Sequence, residues 1–257
     1  MNSGTKRKWD YHTLVMVQVL VVFLGTPFGA FTDGSWLASY CSFGQEITNG
    51  TVICVYCWMF WVAKKKLHWL MLIMTISGVI AEITGSYIFV LYEYRLHNIP
   101  LYIPLGHAVM YACVYHLANN PLIWRFHKVV ERYLEKFAFL TAVLSLFVLN
   151  DQAGFLCYFL FLFILYTRQK KLFYLLMFAW VYVTELFGTV FSTWAWYGVL
   201  NNHPNFPHIG YTPSSAAGLY FLIDLGSNCV YYYLLKISPS KHMFFHMQSN
   251  TKTITIT

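Results

Sequence analysis

The chain has 257 residues, 58% of them hydrophobic, 20% aromatic and only 11% charged, with a mean hydropathy of +0.51 and a net charge of +7. Globular chains carry about a quarter charged residues, so this composition excludes a water-facing surface for most of the chain and calls for lipid as solvent. The cations fall between apolar segments, as topology determinants do, which excludes nucleic acid as the reason for the positive balance.

The expected fold class is all-α: a polytopic integral membrane protein of about eight transmembrane helices in two parallel four-helix pseudo-repeats. Eight apolar segments can be marked, at 11–31, 47–63, 67–92, 101–119, 137–150, 153–167, 172–197 and 215–235. The first is long enough to remain as an anchor rather than a cleaved signal. The fifth and sixth fall short of the roughly 20 residues a span needs. "PLIWRFHKVVERYLEKF" alternates charge and apolarity at helical spacing and reads as an interfacial amphipathic helix. The expected division is residues 1–120 as a first half, 121–136 as that linker, 137–236 as a second half and 237–257 as a polar cytoplasmic tail.

With eight spans and both termini inside, Arg95 is the one cation of seventeen left on the outer side. That division is what the positive-inside rule demands, and an odd number of spans would scramble it. Asn49-Gly50-Thr51 fits the glycosylation pattern, and Cys54 and Cys57 have redox-type spacing, but both are common by chance. Cys54, Cys57, Cys113, Cys157 and Cys229 lie in apolar stretches and suit apolar packing better than a disulfide framework, and only Cys41 falls in an expected loop.

An internal repeat is legible. "AKKKL" and "TRQKKL" precede Glu82-x-x-Gly85-Ser86 and Glu185-x-x-Gly188-Thr189, which lead to Tyr92-Glu93-Tyr94 and Trp194-Ala195-Trp196. Tyr102-Ile103-Pro104 and Tyr211-Thr212-Pro213 follow, then Tyr111 and Tyr220, then Tyr115 and Asp224 in equivalent places. Four is an even number of spans, so both halves would point the same way.

Acids inside a membrane cost roughly 2.5–3.5 kcal/mol each at a helix centre and usually face the bundle interior. Glu82, Glu185 and Asp224 are therefore the candidate catalytic residues. Counted from the nearest basic cluster at 1.5 Å per residue, they lie about 24, 21 and 18 Å deep. Low dielectric favours a neutral carboxyl, which can donate a proton, and facing aromatic rings suit a cationic intermediate. His107, Tyr111, Tyr220, Tyr92, Tyr94, Trp194 and Trp196 are the candidate substrate-binding side chains. The bland readings are a structural hydrogen-bonding role for the acids and an interfacial aromatic belt for the rings. The loop histidines His97, His203 and His208 lack metal-ligand periodicity, and no phosphate loop, dinucleotide fingerprint or nucleophile elbow occurs, so neither metal nor cofactor is expected.

"EITGSYIFVLYEYRLHNIPLYIPLGHAVMY" loosely resembles the polytopic carotenoid-biosynthesis hydratase family, where an acid and a glycine precede Tyr-x-Tyr and an Ile-Pro-Leu segment. The second half is similar to uncharacterised bacterial membrane proteins, and small integral-membrane terpene cyclases are similar in length. The hydratase resemblance implies acid-catalysed hydration or cyclisation of an isoprenoid, with Glu82 as proton donor, although the duplicated glutamate departs from that pattern. The expected partners are the bilayer and an apolar isoprenoid lipid, with a homo-oligomer left open. A proton- or cation-coupled transporter and a non-catalytic assembly protein are the alternatives.

Overall fold

The computed structural model describes residues 11–167, 170–199 and 203–234. The polar tail at 237–257 and the cations Lys6, Arg7, Lys8, Arg168, Lys236, Lys241 and Lys252 lie outside the described residues.

The described chain is mostly helical. It runs α1 (Tyr11–Asp33), α2 (Ser35–Ala38), α3 (Gly44–Val62), α4 (Lys65–Glu82), a π-helical turn (Ile83–Ile88), strand β1 (Tyr92–Tyr94), α5 (Tyr102–Ala118) and α6 (Pro121–Arg125). It continues with α7 (His127–Leu149), α8 (Gln152–Thr167), α9 (Lys171–Val190), strand β2 (Trp194–Trp196), α10 (Ser214–Leu219) and α11 (Phe221–Leu234). Among the described residues three helical stretches are long and apolar enough to cross a membrane: α1, α4 with its π turn, and α9. α8 is a shorter apolar helix.

Two boundaries differ from the sequence reading. The third and seventh apolar segments do not end as helix: each turns into a short strand, and β1 and β2 pair antiparallel, with Tyr92 opposite Trp196 and Tyr94 opposite Trp194. The helical architecture thus carries a small sheet at one end. The amphipathic stretch is not a separate surface helix either. After the short α6, capped by the Asn120 side chain accepting from the Leu122 N–H at 2.9 Å, α7 runs unbroken from His127 through the fifth apolar segment to Leu149.

Helix α5 is the central element. Its Ala108–Val114 run is wholly buried, and it packs against α1, α3, α4 and α9. Ala108 and Ala112 are 0% exposed; such small side chains let neighbouring backbones approach closely. Between the two halves the packing is reciprocal. α5 touches both α4 and α9, while α10 lies on α9 and α11 on α4. Lys64, Lys66 and the ends of α1 and α5 share one wall at one end of the bundle, and Lys171 pairs there with Glu135. The strand pair closes the opposite end.

Polar anchors fix the ends. At the strand end the Arg95 guanidinium donates to the buried Asp33 carboxylate at 2.7 Å and to the Asp33 carbonyl at 2.5 Å, and the Tyr102 hydroxyl donates to the other carboxylate oxygen at 2.7 Å. This joins the end of α1 to the start of α5. In the second half, α7 stops at Asn150 in the left-handed region, φ 53°, a conformation asparagine tolerates. Asp151 then accepts from the N–H groups of Gly154, Gly210 and Ser214 and from the Ser214 hydroxyl, at 2.7–3.1 Å. One carboxylate thereby caps α8 and α10 together, and a Cβ at Gly154 would collide with Asp151 and Ser214. Asn49 belongs to α3, where its side-chain oxygen accepts from the Tyr102 N–H at 2.8 Å, so its amide serves helix packing.

Asp151→Ala leaves three buried N–H groups without an acceptor. Unsatisfied buried donors cost about 1–3 kcal/mol each, so Asp151→Ala is expected to destabilise the protein by at least about 3 kcal/mol and Asp151→Asn by less. Thermal unfolding in detergent is the measurement; equal melting of Asp151→Ala and wild type rejects the shared cap.

Candidate functional site: the two carboxylate clasps and Asp224

Each glutamate stands near the end of its helix, and the strand that follows folds back over it. Glu82 is 6% exposed. Its Oε2 accepts from the Tyr92 hydroxyl at 2.7 Å and the Tyr94 hydroxyl at 2.5 Å. Glu185 is part-buried, and its Oε2 accepts from the Trp194 Nε1–H at 2.9 Å and the Trp196 Nε1–H at 3.1 Å. Burial first, and then the Glu82 carboxylate, pushes the Tyr92 phenol pKa up. The phenol therefore keeps its proton and acts as the donor. The aromatic-x-aromatic spacing has a structural cause: side chains two apart on a strand share a face, so both rings of each strand reach the same carboxylate.

The glycines one turn on from the acids make room for those rings. A Cβ at Gly85 would stand 2.7 Å from the Tyr92 hydroxyl, and one at Gly188 would overlap the Trp194 indole. Ser86 and Thr189 return hydrogen bonds to the backbone carbonyls of Glu82 and Glu185, at 2.6 and 2.8 Å, rather than to the carboxylates. The corners match as well. Val90 and Ser192, each two residues before the first strand aromatic, have φ of 48° and 55°, a strained setting for a β-branched valine. The Leu91 and Thr193 N–H groups then donate to the Gly85 and Gly188 carbonyls, both at 2.8 Å. Outside the strands, Tyr197 N–H donates to the Leu91 carbonyl at 2.9 Å and Arg95 N–H to the Thr193 carbonyl at 3.0 Å. This is a local two-fold arrangement. The first half has one more residue between glutamate and strand. The π turn at Ile83–Ile88 absorbs it, as π-bulges do.

The halves then diverge. Glu82 Oε1 also meets His107 Nε2 at 2.9 Å, and Gly78 gives that imidazole room, since a Cβ there would come within 3.2 Å of the ring. By the spacing that relates Tyr111 to Tyr220, the second-half counterpart of His107 is Ala216. The His107 ring stacks on Tyr220, centroids 5.1 Å apart and planes 7° apart. A buried polar column therefore passes from Glu82 through His107 to the second half.

Asp224 lies one helical turn beyond Tyr220 and is 0% exposed. Among the described residues neither of its carboxyl oxygens has a hydrogen-bond partner, nor does the Tyr220 hydroxyl. Asn228 Nδ2 donates to the Asp224 backbone carbonyl at 2.6 Å, and the Tyr111 hydroxyl reaches Asn228 Oδ1 at 3.4 Å. Buried polar atoms are satisfied in more than about nine cases in ten. His107 Nδ1 is likewise without a partner among the described residues, but of the buried carboxylates Asp224 alone lacks the donors that Glu82, Asp33 and Asp151 receive.

The sequence-predicted residues divide accordingly. Glu82, Tyr92, Tyr94 and His107 form one cluster and Glu185, Trp194 and Trp196 a second, with Tyr92 and Trp196 rings in contact at 4.7 Å. Asp224, Tyr111 and Tyr220 form a third group, joined to the first through the His107–Tyr220 stack. The four strand aromatics spend their polar atoms on the glutamates, so they clasp rather than line an open mouth. The buried acids Asp33 and Asp151 were missed. Arg95, the isolated cation of the strand end, was the available signal for Asp33; Asp151, directly before an apolar run, was legible as a helix cap. Among the described residues no three His, Cys, Asp or Glu side chains are grouped for metal binding: His97 meets Glu93 at 3.5 Å and His208 meets the Asn150 carbonyl at 3.1 Å. Comparison with family models, curated proteins and solved structures finds no match.

Gly188→Ala is expected to expel the Trp194 indole from Glu185 and to cost about 1–3 kcal/mol, the usual range for overpacking. Gly25→Ala, where an added Cβ meets nothing within 4 Å, is the control and should be neutral or mildly stabilising. Tryptophan fluorescence and thermal unfolding read both, and a native-like Gly188→Ala emission spectrum and midpoint would reject the clasp.

Proposed function

We propose that this chain is a multi-pass membrane protein of eight spans, with both termini cytoplasmic and two parallel four-helix halves, that performs acid–base chemistry on an apolar isoprenoid lipid. Asp224 is assigned as the proton donor. The observation that carries this reading is the wholly buried, unpartnered Asp224 carboxyl beside the equally unpartnered Tyr220 hydroxyl. Burying an ionised carboxylate without a partner costs far more than burying the neutral acid, and a neutral acid is the form with a proton to give. Hydration or cyclisation of a polyene needs that proton delivered to an alkene in a dry setting. The Tyr111, Tyr220 and Phe173 rings around this region suit the cation that results.

The donor role passes from Glu82 to Asp224 because Glu82 already accepts from two phenols and adjoins an imidazole. We assign Glu82 and Glu185 to holding the strand pair across the bundle end. The span count draws support from the gathering of Lys64, Lys66, Lys170 and Lys171 at one end, with Arg95 at the other. The local two-fold relation of β1 and β2 supports the paired halves.

One observation favours a second reading, proton-coupled transport. The polar groups Glu82, His107, Tyr220, Asp224 and Asn228 succeed one another along the bundle, and the charge of Lys170 at the basic end reaches Asp224. Among the described residues, the cavity walled by Lys64, Lys66 and His116 and the one walled by Glu135, Lys136 and Tyr166 include none of Glu82, Glu185 or Asp224, and a proton path needs less space than a polyene.

Lipid profiling of cells carrying Asp224→Asn should show loss of one isoprenoid product and accumulation of its precursor, with Glu185→Gln affecting protein level instead. An unchanged lipidome with folded Asp224→Asn protein sinks the enzyme reading. A proton flux in proteoliposomes that Asp224→Asn abolishes would then establish transport. Independently, tags at both termini should be protease-accessible only after the cytoplasmic face is exposed; tags on opposite faces would reject the even number of spans.

A further inference from the structure

A cavity of about 360 Å³ opens at the basic end, between the start of α1, the α3–α4 corner and the end of α5. Its polar wall is made by Lys64, Lys66, His12 and His116, with Asn119 and Asn120 beside them, and among the described residues no carboxylate lines it. Val15, Met16 and Leu67 supply an apolar side. The Lys64 ammonium lies over the Tyr11 ring, 5.1 Å from its centroid. Among the described residues neither Lys64 nor Lys66 forms an ion pair. The 18-residue helix α4 begins here with no side-chain cap, so its first N–H groups and the positive end of its dipole add to the cationic wall.

We propose that this cavity binds the phosphate group of a membrane lipid. Two ammonium groups without an ion pair among the described residues, imidazoles and an uncapped helix start converge on a space at the low end of the usual range for small-ligand sites. They match a phosphate ester, which takes charge-assisted hydrogen bonds from several directions. The source is a lipid rather than a free ion because one side of the wall is apolar and two tyrosines flank it, as at a headgroup boundary. This rests on the membrane reading above but not on the isoprenoid chemistry.

The experiment uses the full chain purified in detergent. Retention of phosphatidic acid is measured by native mass spectrometry, and its effect on thermal midpoint is measured against phosphatidylcholine and against inorganic phosphate alone. Phosphatidic acid should be retained and should raise the midpoint. The double variant Lys64→Gln/Lys66→Gln should weaken binding at least about tenfold, as expected for loss of charge-assisted contacts. Lys65→Gln removes the same charge from an exposed neighbour outside the wall and should bind as wild type does. If the double variant fails to fold, Lys64→Gln alone carries the comparison. Equal loss in Lys65→Gln, or no preference over phosphatidylcholine, overturns the site. Stabilisation by inorganic phosphate equal to that by phosphatidic acid overturns the lipid assignment. Alkaline carbonate extraction separates failure of the membrane reading, since a peripheral protein would be released.

Discussion

A carboxyl among apolar side chains must be supplied with hydrogen-bond donors, and the strand end of this molecule is organised around that requirement. Unsatisfied or uncompensated, such a group costs several kcal/mol; accepting two or three bonds, it becomes an anchor. Glu82 and Glu185 obtain their donors from aromatic residues about ten positions further along the chain. To deliver them, each helix must end, turn through a left-handed corner at Val90 or Ser192, and return as a strand. The returning strands find one another and pair, so the strands that satisfy the two acids also join the two halves. Clasp, corner, glycine and sheet are parts of one solution.

Repeating that solution in both halves explains its tolerance of insertion. The extra residue in the first half is taken up by the π turn before β1, and the strand register is undisturbed. Donor type differs between halves with chemical consequence. Phenol oxygens can donate and also accept, whereas an indole N–H only donates. The first clasp adds His107, which carries its polar contacts toward Tyr220 in the other half; the second clasp has Ala216 in that place. One clasp closes on itself and the other opens inward.

The sequence made the helical class and the matching motifs around Glu82 and Glu185 legible, because hydrophobic runs report solvent directly and the two motifs can be laid side by side. The pairing of Tyr92 and Tyr94 with Glu82 was hidden by a rule that is usually right: aromatics at the end of an apolar run read as an interfacial belt. Nothing in a 3.6-residue period announces that the chain has switched to a strand after Phe89, since three residues are too few to show alternation. Gly85 and Gly188 were visible as companions of the acids, but their purpose, room for a ring returning from the strand, is a tertiary fact. The continuity of α7 was obscured by the change from mixed to apolar composition at Phe137, which reflects a change of surroundings along one helix rather than a break. Asp151 was passed over because it sits between apolar segments, where an acid looks like ordinary loop polarity.

Asp224 tests any account in which the buried acids serve only to hold the halves together. A purely structural scheme predicts that each acid finds donors, and Glu82, Glu185, Asp33 and Asp151 do so. Donors were within evolutionary reach for the fifth: Tyr220, Asn228 and Tyr111 are all close, yet the Tyr220 hydroxyl is left unbonded while Asn228 turns its amide to a backbone carbonyl. The cost of leaving a carboxyl and a phenol side by side without partners is the kind of local inconsistency that native sequences keep at working sites. His107 reinforces the point, because its stack on Tyr220 links the one clasp that opens inward to the one acid left unsatisfied. The asymmetry between the clasps is therefore concentrated along a line from Glu82 to Asp224, while the corners at Val90 and Ser192 and the strand pairing match. Two matched clasps that differ by one inward-leading branch are what a site grafted onto a paired scaffold would look like, and Asp224 is where that branch ends.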